Sequence, residues 1–331
     1  MNTPPSGVLL LNRTVIRAAL LAVVMIVPAV AQSYPEKPLR LIVPFPGAGG
    51  GADFVGRVVG QKLAERLGQP VVIENRPGAA GNIGIDMAAK AQPDGHTLLI
   101  VTPSLTISPS LYKKLGYDPT KDLAPISLVS EVPNLFIVRP GLPVKTLGEF
   151  IDYARANPGK LNFGGSGIGS STHLATVLFL SLAKLDMVNV TYKGSSQALV
   201  ALIGNEVDLV IIGPPAAQAH ILAGRVKALA VMRDRRLASL PQVPTMQEAG
   251  LEKSEVTTWY GLLAPAATPR AIINRLNREW NAAATMPDTR EKMQSAGIET
   301  LAGTYAQFAN LIKMEIARWA KVVKDADIRI E

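Results

Sequence analysis

Residues 39–53 read LRLIVPFPGAGGGAD, and this stretch decides the fold. A short apolar run ends at two prolines, Pro44 and Pro46, and a glycine-rich turn follows. Apolar residues then recur at helical spacing, at Phe54, Val55, Val58, Val59, Leu63 and Leu67. The pattern predicts a buried strand, a tight loop and a helix. The first N–H groups of such a helix lack partners and its dipole adds positive charge there, so the expected ligand is an anion, phosphate or carboxylate.

The same pattern returns about 120 residues later. A short apolar run, residues 161–163, precedes a second loop, GGSGIGSST at residues 164–172, and an apolar-periodic helix starts near His173. We expect the loop hydroxyls to cap this helix and to bind ligand oxygen atoms. His173, in the first turn, could donate to a ligand or to a carbonyl. The two modules predict two helix N-termini that face each other across a cleft.

The remaining pattern predicts an α/β protein of two domains. Strands and helices alternate with short connections, which is typical of right-handed βαβ units and parallel sheets. Extended crossings near residues 130–138 and 228–245 suggest that the second domain is inserted into the first through a twin hinge. The predicted first domain comprises residues 32–133 and 233–331, and the second comprises residues 134–232.

The first 31 residues are predicted to be a cleavable signal peptide. Arg13 and Arg17 precede an apolar run, and Ala29-Val30-Ala31 gives a small-x-small cleavage site. A transmembrane anchor is the alternative, but the apolar run at residues 18–31 has 14 residues, fewer than the roughly 20 of a spanning helix. Cleavage leaves 300 residues with a net charge of +6, long enough for two domains.

Composition excludes several functional classes. The chain has no cysteine, which excludes disulfides, a lipoprotein anchor and a zinc site of the usual Cys/His spacing. His96, His173 and His220 are scattered without paired carboxylates at ligand spacing, so neither a metal nor a cofactor is predicted. The positive charge is not concentrated in runs and aromatic residues make up 5% of the chain, so we expect no nucleic-acid partner.

Alternatives to anion binding remain for both loops. Gly47-x-Gly49-x-x-Ala52, with Glu74 at the end of the next strand, matches a dinucleotide fingerprint. This leaves open an exported α/β enzyme that binds a nucleotide or phosphate, although the prolines and the export signal argue against it. The first loop could also be a turn without a ligand. In the second loop Ile168 breaks the nucleophile-elbow pattern, so we predict no catalytic residue.

Several segments resemble the Bug-type solute-binding proteins of tripartite tricarboxylate transporters. The shared motifs are VIENRPGA at residues 72–79, PDGHTLL at 93–99, SLYKKLGYDP at 110–119 and VPTMQEAG at 243–250. The resemblance covers nearly all of the mature chain. It implies a type II, Venus-flytrap fold and a monomer in the periplasm that captures a small di-, tri- or aromatic carboxylate. The partner would be a cognate membrane permease, or a sensor protein.

By position, the resemblance implies ligand contacts in four regions: the first loop, the segment after the third strand, the second loop and residues 75–81. The candidate residues are Phe45, Gly47, Ala48, Gly49, Gly50, Asp53, Thr102, Ser104, Thr106, Ser166, Gly169, Ser170, Ser171, Thr172 and His173. Asp208, which precedes an apolar strand, is a further candidate as the acceptor for a ligand amine, or it satisfies a neighbouring backbone group.

Three positions depart from the family pattern. The first loop is about one residue longer than usual, Val177 stands where a glutamate is common, and Gly213-Pro214-Pro215 replaces a common aspartate. A ligand ammonium group needs a buried carboxylate partner. The loss of that aspartate therefore argues against an amino-acid ligand and favours a multi-carboxylate or aromatic acid.

The sequence predicts that valine at Gly49 or Gly50 abolishes ligand binding while the fold survives, because a side chain there blocks the approach of the backbone to an anion. Titration of each variant with carboxylates measures this, and unchanged affinity in either variant contradicts the loop assignment. Lys62→Ala, on the predicted exposed face of the first helix, is the control and should change little.

Overall fold

The computed structural model describes Met1 and residues 34–47, 50–251 and 257–325. The predicted signal peptide beyond Met1 and two ligand candidates, Ala48 and Gly49, lie outside the described residues. Contacts divide the chain into an N-terminal unit, Met1–Glu36, and a compact body, Lys37–Glu331. Every described strand and helix belongs to the body.

The order of elements follows the alternation predicted from the sequence. The strands are β1 (Leu39–Val43), β2 (Val71–Asn75), β3 (Thr97–Val101), β4 (Leu123–Pro133), β5 (Leu135–Val138), β6 (Asn162–Gly165), β7 (Val188–Thr191), β8 (Leu209–Ile212), β9 (Lys227–Val231), β10 (Thr257–Pro265) and β11 (Glu299–Thr300). The α-helices are α1 (Gly51–Leu67), α2 (Asn82–Ala89), α3 (Ser104–Leu111), α4 (Leu147–Ala156), α5 (Ser171–Ala183), α6 (Ser195–Ile203), α7 (Pro214–Leu222), α8 (Arg270–Ala284), α9 (Pro287–Ser295) and α10 (Tyr305–Asp325). A 3₁₀ turn, Ala79–Gly81, precedes α2.

The first sheet combines strands from both ends of the body. In the described part of the chain its order is β11-β4-β10-β3-β1-β2. β1 pairs in parallel with β2 and β3, as the βαβ pattern predicts. β10 runs antiparallel to both β3 and β4, so the sheet as a whole is mixed rather than parallel. The reason is that β10 is not reached through a βαβ crossover but returns from the second sheet.

The second sheet lies entirely within the middle of the chain. Its described strands have the order β7-β6-β8-β5-β9 and span Leu135 to Val231. β6 is parallel to β7 and β8, whereas β5 is antiparallel to β8 and β9. We call the part built on the first sheet the first lobe and the part built on the second sheet the second lobe. The predicted domains and their boundaries stay predictions.

Two adjacent crossings connect the lobes. β4 ends at Pro133 and β5 begins at Leu135, so Asn134 alone separates strands of different sheets. The return crossing follows β9, and there the N–H of Met232 donates to the carbonyl of Asn134 at 2.8 Å. Asn134 is buried. The two extended crossings that the sequence predicts are therefore hydrogen-bonded to each other.

The helices bury the apolar faces predicted for them. α1 covers the first sheet with Val55, Val58, Val59 and Leu63. α10 packs Phe308 and Ile312 on the first lobe, and its far end, Trp319 and Val323, forms a cluster with Ile107 of α3 and Leu174 of α5. Because Leu174 belongs to the second lobe, α10 contacts both lobes. Among the described helices none has the length and apolar character needed to cross a bilayer.

The prediction that Lys62 lies on an exposed face of α1 is wrong. Its side chain is buried, and its ammonium group contacts Glu65 at 2.8 Å and Asp288 of α9 at 2.6 Å. Helices α8 and α9, from the C-terminal part of the chain, pack on this side of α1. Helical periodicity alone could not reveal that cover, and Lys62→Ala is therefore not a neutral control.

Gly261→Ala is expected to destabilise the first lobe. A Cβ at Gly261 of β10 would overlap the ring of Phe308 from α10. Overpacking of this kind costs about 1–3 kcal/mol. Urea denaturation measures the loss, and Gly148→Ala is the control, because a Cβ on that exposed glycine of α4 meets only Thr146 at 3.9 Å. The control should be neutral or slightly stabilising. A Gly261→Ala protein as stable as the wild type would contradict the packing described here.

Candidate functional site

Helix N-termini from both lobes open on one cavity, which we call the inner chamber. Its cavity volume is about 90 Å³, which leaves room for several water molecules or a small ligand. Its walls come from the first loop, the crossings and three segments of the second lobe. The lining residues are Phe45, Pro46, Gly50, Gly51, Ala52, Thr102, Val132, Asn134, Ser166, Ser170, Ser171, Thr172, Gly194, Ser195, Ser196, Gln197, Ile212, Gly213, Thr258 and Tyr260. Among these described residues none carries a charged side chain.

The first lobe presents the start of α1. Gly50 is its N-cap, in an extended conformation, and as a glycine it has no side chain to satisfy the first N–H groups of the helix. Those groups, at Gly51 and Ala52, have no intrahelical partner and lie in the wall of the inner chamber. Gly50 itself lies across from α6, since a Cβ there would be 3.6 Å from Ser196 Oγ.

Asp53 fixes the first loop rather than lining the cavity. Its buried carboxylate accepts two hydrogen bonds from the guanidinium of Arg57, at 3.0 and 3.1 Å. It accepts a third from Asn75 Nδ2, at 3.1 Å, and the same nitrogen donates to the carbonyl of Phe45 at 3.0 Å. Gly47 is placed against Asn75 too, because a Cβ there would be 2.6 Å from Asn75 Oδ1. Asp53 therefore holds the loop through Asn75.

Tyr260 is a wall residue that was not among the predicted ligand contacts, because an aromatic pair such as Trp259-Tyr260 in a strand more often lies in the core. A Cβ at Gly51 would overlap its hydroxyl, so the phenol lies directly against the start of α1. Burial raises the pKa of Tyr260, which keeps the hydroxyl protonated and able to donate. Alternation along β10 was the available signal: Trp259 faces the core, where it packs edge-on against Phe308, so its neighbour must face the other way.

The second loop brings together the hydroxyl groups predicted for it. Ser170 is the N-cap of α5 and accepts from the N–H of His173 at 3.2 Å, which confirms the predicted capping. Ser166 Oγ lies 3.0 Å from Ser170 Oγ and also contacts the hydroxyl of Thr172. Each of these hydroxyls can reverse its proton, so the cluster can turn donors toward an acceptor in the chamber.

His173 lies behind this loop and does not line the chamber. Its Nδ1 accepts from the N–H of Gly169 at 3.3 Å, which leaves Nε2 as the nitrogen that carries the proton and can donate. Burial lowers the pKa of His173 to about 4, and the ring is therefore neutral at pH 7. Gly169, another candidate, has φ of +85° and contributes its N–H to this bond. Both residues shape the loop from behind.

Helices α6 and α7 complete the second lobe's wall, and neither is among the predicted ligand contacts. Both are preceded by an extended glycine, Gly194 and Gly213, without a side-chain cap. α6 offers the N–H groups of its first turn and the hydroxyls of Ser195 and Ser196. α7 begins with two prolines, which have no N–H, so it offers its dipole without its first donors. Glycine followed by two serines at a helix start was the signal for α6.

Two candidates in the segment after β3, Ser104 and Thr106, do not reach the chamber. The segment after β3 is not the predicted loop but the helix α3. Thr102 lines the chamber, whereas Ser104 and Thr106 are buried in that helix. Ser104 Oγ is bonded to Thr102 Oγ1 at 2.9 Å, and Thr106 Oγ1 donates to the carbonyl of Pro103 at 2.8 Å. Local side-chain to backbone bonds of this kind are common at the starts of helices.

Asp208 lies at the wrong end of its strand to accept a ligand amine. It precedes β8, whereas the chamber is lined by Ile212 and Gly213 at the opposite end. Its carboxylate accepts from Arg139 Nε at 2.6 Å and from the N–H of Asn162 at 2.8 Å. The alternative expectation, that Asp208 satisfies a neighbouring backbone group, is confirmed.

A second cavity, the outer chamber, adjoins the first. It is lined by Pro44, Phe45, Pro77, Gly78, Ala79, Ala80, Gly81, Tyr112, Ser166, Gly167, Ile168, Thr191, Tyr192 and Lys193. The predicted contribution of residues 75–81 lies here, and residues 78–81 all have positive φ. Tyr112 of the first lobe donates across this cavity to the carbonyl of Ile168, at 3.5 Å.

Two α/β lobes joined by paired crossings, with helix N-termini around the cavity between them, define a periplasmic binding protein. The solved periplasmic binding protein BugD has this fold: its TM-score is 0.86 at 34% identity, covering 90% of this chain and 100% of that one. A family model described as Tripartite tricarboxylate transporter family receptor matches residues 55–328. The chain belongs to this family of solute-binding proteins.

Further similarities agree with this assignment. Protein BugT of Bordetella pertussis is 37% identical over 306 residues, which cover 92% of this chain and 94% of BugT. Rpa4515 of R. palustris, solved with adipate, has a TM-score of 0.86 at 36% identity and covers 89% of this chain and 99% of that one. MatC of Rhodopseudomonas palustris, solved with bound malate, has a TM-score of 0.83 at 34% identity and covers 88% of this chain and 100% of that one.

The buried neutral His173 predicts a defined loss of stability in acid. Its folded pKa is about 4, below the ordinary 6.5, so as the pH falls below 6.5 the unfolded chain binds a proton that the folded protein refuses. His173→Gln keeps an acceptor for Gly169 and removes this penalty. The drop in unfolding free energy between pH 7 and pH 4.5 should shrink by about 2–3 kcal/mol.

Urea denaturation of both proteins at the two pH values measures that difference. His220→Gln removes a half-buried ring outside the site and controls for the loss of a histidine as such. Equal acid sensitivity of wild type and His173→Gln would mean that His173 titrates in the folded protein as it does in solution.

Proposed function

We propose that the protein captures a small carboxylate in the inner chamber, a di- or tricarboxylate or an aromatic acid, and delivers it to a membrane permease of the tripartite tricarboxylate type. One observation carries the proposal: the N-termini of α1, α5 and α6 meet at a chamber whose described lining contains no charged side chain. Each terminus supplies unpaired N–H donors and the positive end of a helix dipole, which together favour an anion.

The same lining disfavours other small ligands. A ligand ammonium group would be buried without a carboxylate partner, because Asp53 and Asp208 are both bonded to arginines outside the chamber. A carboxylate meets hydroxyl and amide donors instead, from Ser170, Thr172 and Ser195. Hydrogen bonds to a charged acceptor are among the stronger ones in proteins. The chamber is therefore selective by the sign of the charge.

Apolar side chains in the wall of the chamber offer a surface for the carbon skeleton of the ligand. Val132 at the end of β4, Ile212 at the end of β8 and Phe45 of the first loop line the chamber beside the helix starts. A ligand with carboxylates at its ends and hydrocarbon between them matches this alternation of donors and apolar wall. Adipate in Rpa4515 is an acid of that kind, and malate in MatC also has a carboxylate at each end but carries a hydroxyl group between them; both support a dicarboxylate ligand here.

The runner-up is an exported enzyme that binds a nucleotide or phosphate at the first loop. In the dinucleotide fingerprint an acidic residue after the second strand accepts from the ribose. Here Glu74 is held by the guanidinium of Arg40, at 2.9 and 3.0 Å, and by Arg76 at 3.2 Å. Glu74 lines neither chamber. These contacts favour the solute-binding function.

We infer a periplasmic location and a membrane partner from the sequence and the family together. The N-terminal segment has the charged, apolar and cleavable pattern of an export signal, and the family description names a transporter receptor. The protein would act as a monomer, and the partner would be the permease subunits of such a transporter, or a sensor protein.

A thermal-shift screen of residues 32–331 tests the proposal. The ligands are mono-, di- and tricarboxylates, aromatic acids, amino acids and dinucleotides. A ligand at 100 times its dissociation constant adds about 2.7 kcal/mol of stability, an easily measured shift. Stabilisation by a carboxylate, without its conversion, supports the proposal. Stabilisation by dinucleotides and by no carboxylate would overturn it in favour of the runner-up.

Ser195→Pro should weaken carboxylate binding through a single missing N–H. Proline is tolerated at the first position of a helix, and the extended Gly194 that precedes it suits a proline neighbour. Stability should therefore be unchanged while affinity falls about tenfold or more, the effect of one hydrogen bond to a charged group. Calorimetric titration measures it. Ser195→Ala, which keeps the N–H, is the control, and an equal loss in both variants would assign the effect to the hydroxyl instead.

A further inference from the structure

The inner and outer chambers are two parts of one continuous cleft. Phe45 and Ser166 line both of them. Three chain segments also run from one chamber into the other. Pro44 lines the outer chamber and Pro46 the inner one, and Lys193 lines the outer chamber and Gly194 the inner one. The second loop likewise runs from Ile168 in the outer chamber to Ser170 in the inner one. A ligand longer than the inner chamber would therefore extend into the outer chamber.

The two chambers differ in charge. In the described lining, the inner chamber has no charged side chain and the outer chamber has one, that of Lys193. No described carboxylate lies within ion-pair distance of the Lys193 ammonium group, whereas Arg40, Arg57 and Lys62 are all paired. The main chain of Lys193 is fixed, because its N–H donates to Gln197 Oε1 of α6 at 3.1 Å. Its ammonium group is thus an uncompensated cation at the outer end of the cleft.

The hydroxyls of Tyr112, Tyr192 and Ser166 in the outer chamber are already engaged. The Tyr112 hydroxyl donates to Ile168, and the Tyr192 hydroxyl donates to Glu206 Oε2 at 3.4 Å. The carboxylate of Glu206 is therefore bonded to Tyr192. The rings of Phe45, Tyr112 and Tyr192 contribute apolar wall. A second anionic group of a ligand would therefore find its charge partner in Lys193.

We propose that Lys193 recognises the distal carboxylate of an extended dicarboxylate whose first carboxylate occupies the inner chamber, so that this residue selects long diacids over monoacids. The inference rests on the proposed carboxylate function and specifies its ligand class. An ammonium group on a flexible stem is a point charge without fixed geometry. It should accept diacids over a range of lengths, with a modest and salt-sensitive gain because the side chain is exposed.

Calorimetric titration of a homologous series tests the inference. The ligands are unbranched diacids of four to eight carbons, each paired with the monoacid of equal length, on wild type and Lys193→Gln. We expect Lys193→Gln to weaken the longer diacids about two- to fivefold and to leave the monoacids unchanged. High salt should reduce the affinity of the wild type for long diacids to that of the variant.

Two further variants sharpen the result. Lys160→Gln removes an exposed lysine of the same lobe that lines neither chamber, and it should change no affinity. Lys193→Glu should reverse the preference, rejecting long diacids and favouring ω-amino acids of the same length. This gain of binding cannot arise from a damaged fold.

The outcomes separate the two proposals. If carboxylates bind and Lys193→Gln affects diacids and monoacids equally, the role of Lys193 is overturned while the carboxylate function stands. The same holds if Lys193→Glu shows no reversal. If no carboxylate of any length binds to the wild type, the carboxylate function itself fails.

Discussion

The first backbone N–H groups of α1, α5 and α6 have no partner among the described residues, and the rest of the site depends on that deficit. In the second sheet the parallel strands β6 and β7 bring the starts of α5 and α6 to one edge, and α1 begins after β1 of the first sheet. Glycines precede α1 and α6 where a capping side chain would otherwise satisfy the donors. A buried donor without a partner is costly. The helix starts are therefore satisfied best by a guest with several acceptor oxygens.

The described charged residues around the inner chamber lie behind its wall and do not line it. Asp53, Asp208 and Glu74 each face one or two arginines, and each tie holds a loop or a strand end in place. His173 does the same without charge, through the N–H of Gly169. Since a fixed charge in the wall would attract or repel one specific ligand, removing charge from the wall leaves recognition to main-chain donors. Such a wall can accept several acids through the same contacts.

Sequence patterning predicted most of the fold because apolar periodicity and glycine loops are local signals. The strand, loop and helix around Gly50 and around Ser170 are where the pattern places them. Contacts between distant segments carried no such signal. Lys62 is covered by helices more than 200 residues away in sequence. Alternation along β10 puts Trp259 and Tyr260 on opposite faces, but the contact of Trp259 with Phe308 of α10 decides which of them lies in the core. Residue type was an equally incomplete guide. The carboxylate of Asp208 suggested a partner for a ligand amine, but it forms an ion pair with Arg139.

The hydrogen bond between Met232 and Asn134 also restricts how the two lobes can move relative to each other. Two adjacent strands that are tied side by side resist shear and independent twisting, which leaves the lobes essentially one angle to vary. Under the proposed function, every acid that draws α1 and α6 together would then produce nearly the same closed shape of the cleft. A membrane partner that recognised this shape would detect whether the cleft is filled, and not which compound fills it. Chemical discrimination therefore has to be completed inside the cleft, before the lobes meet.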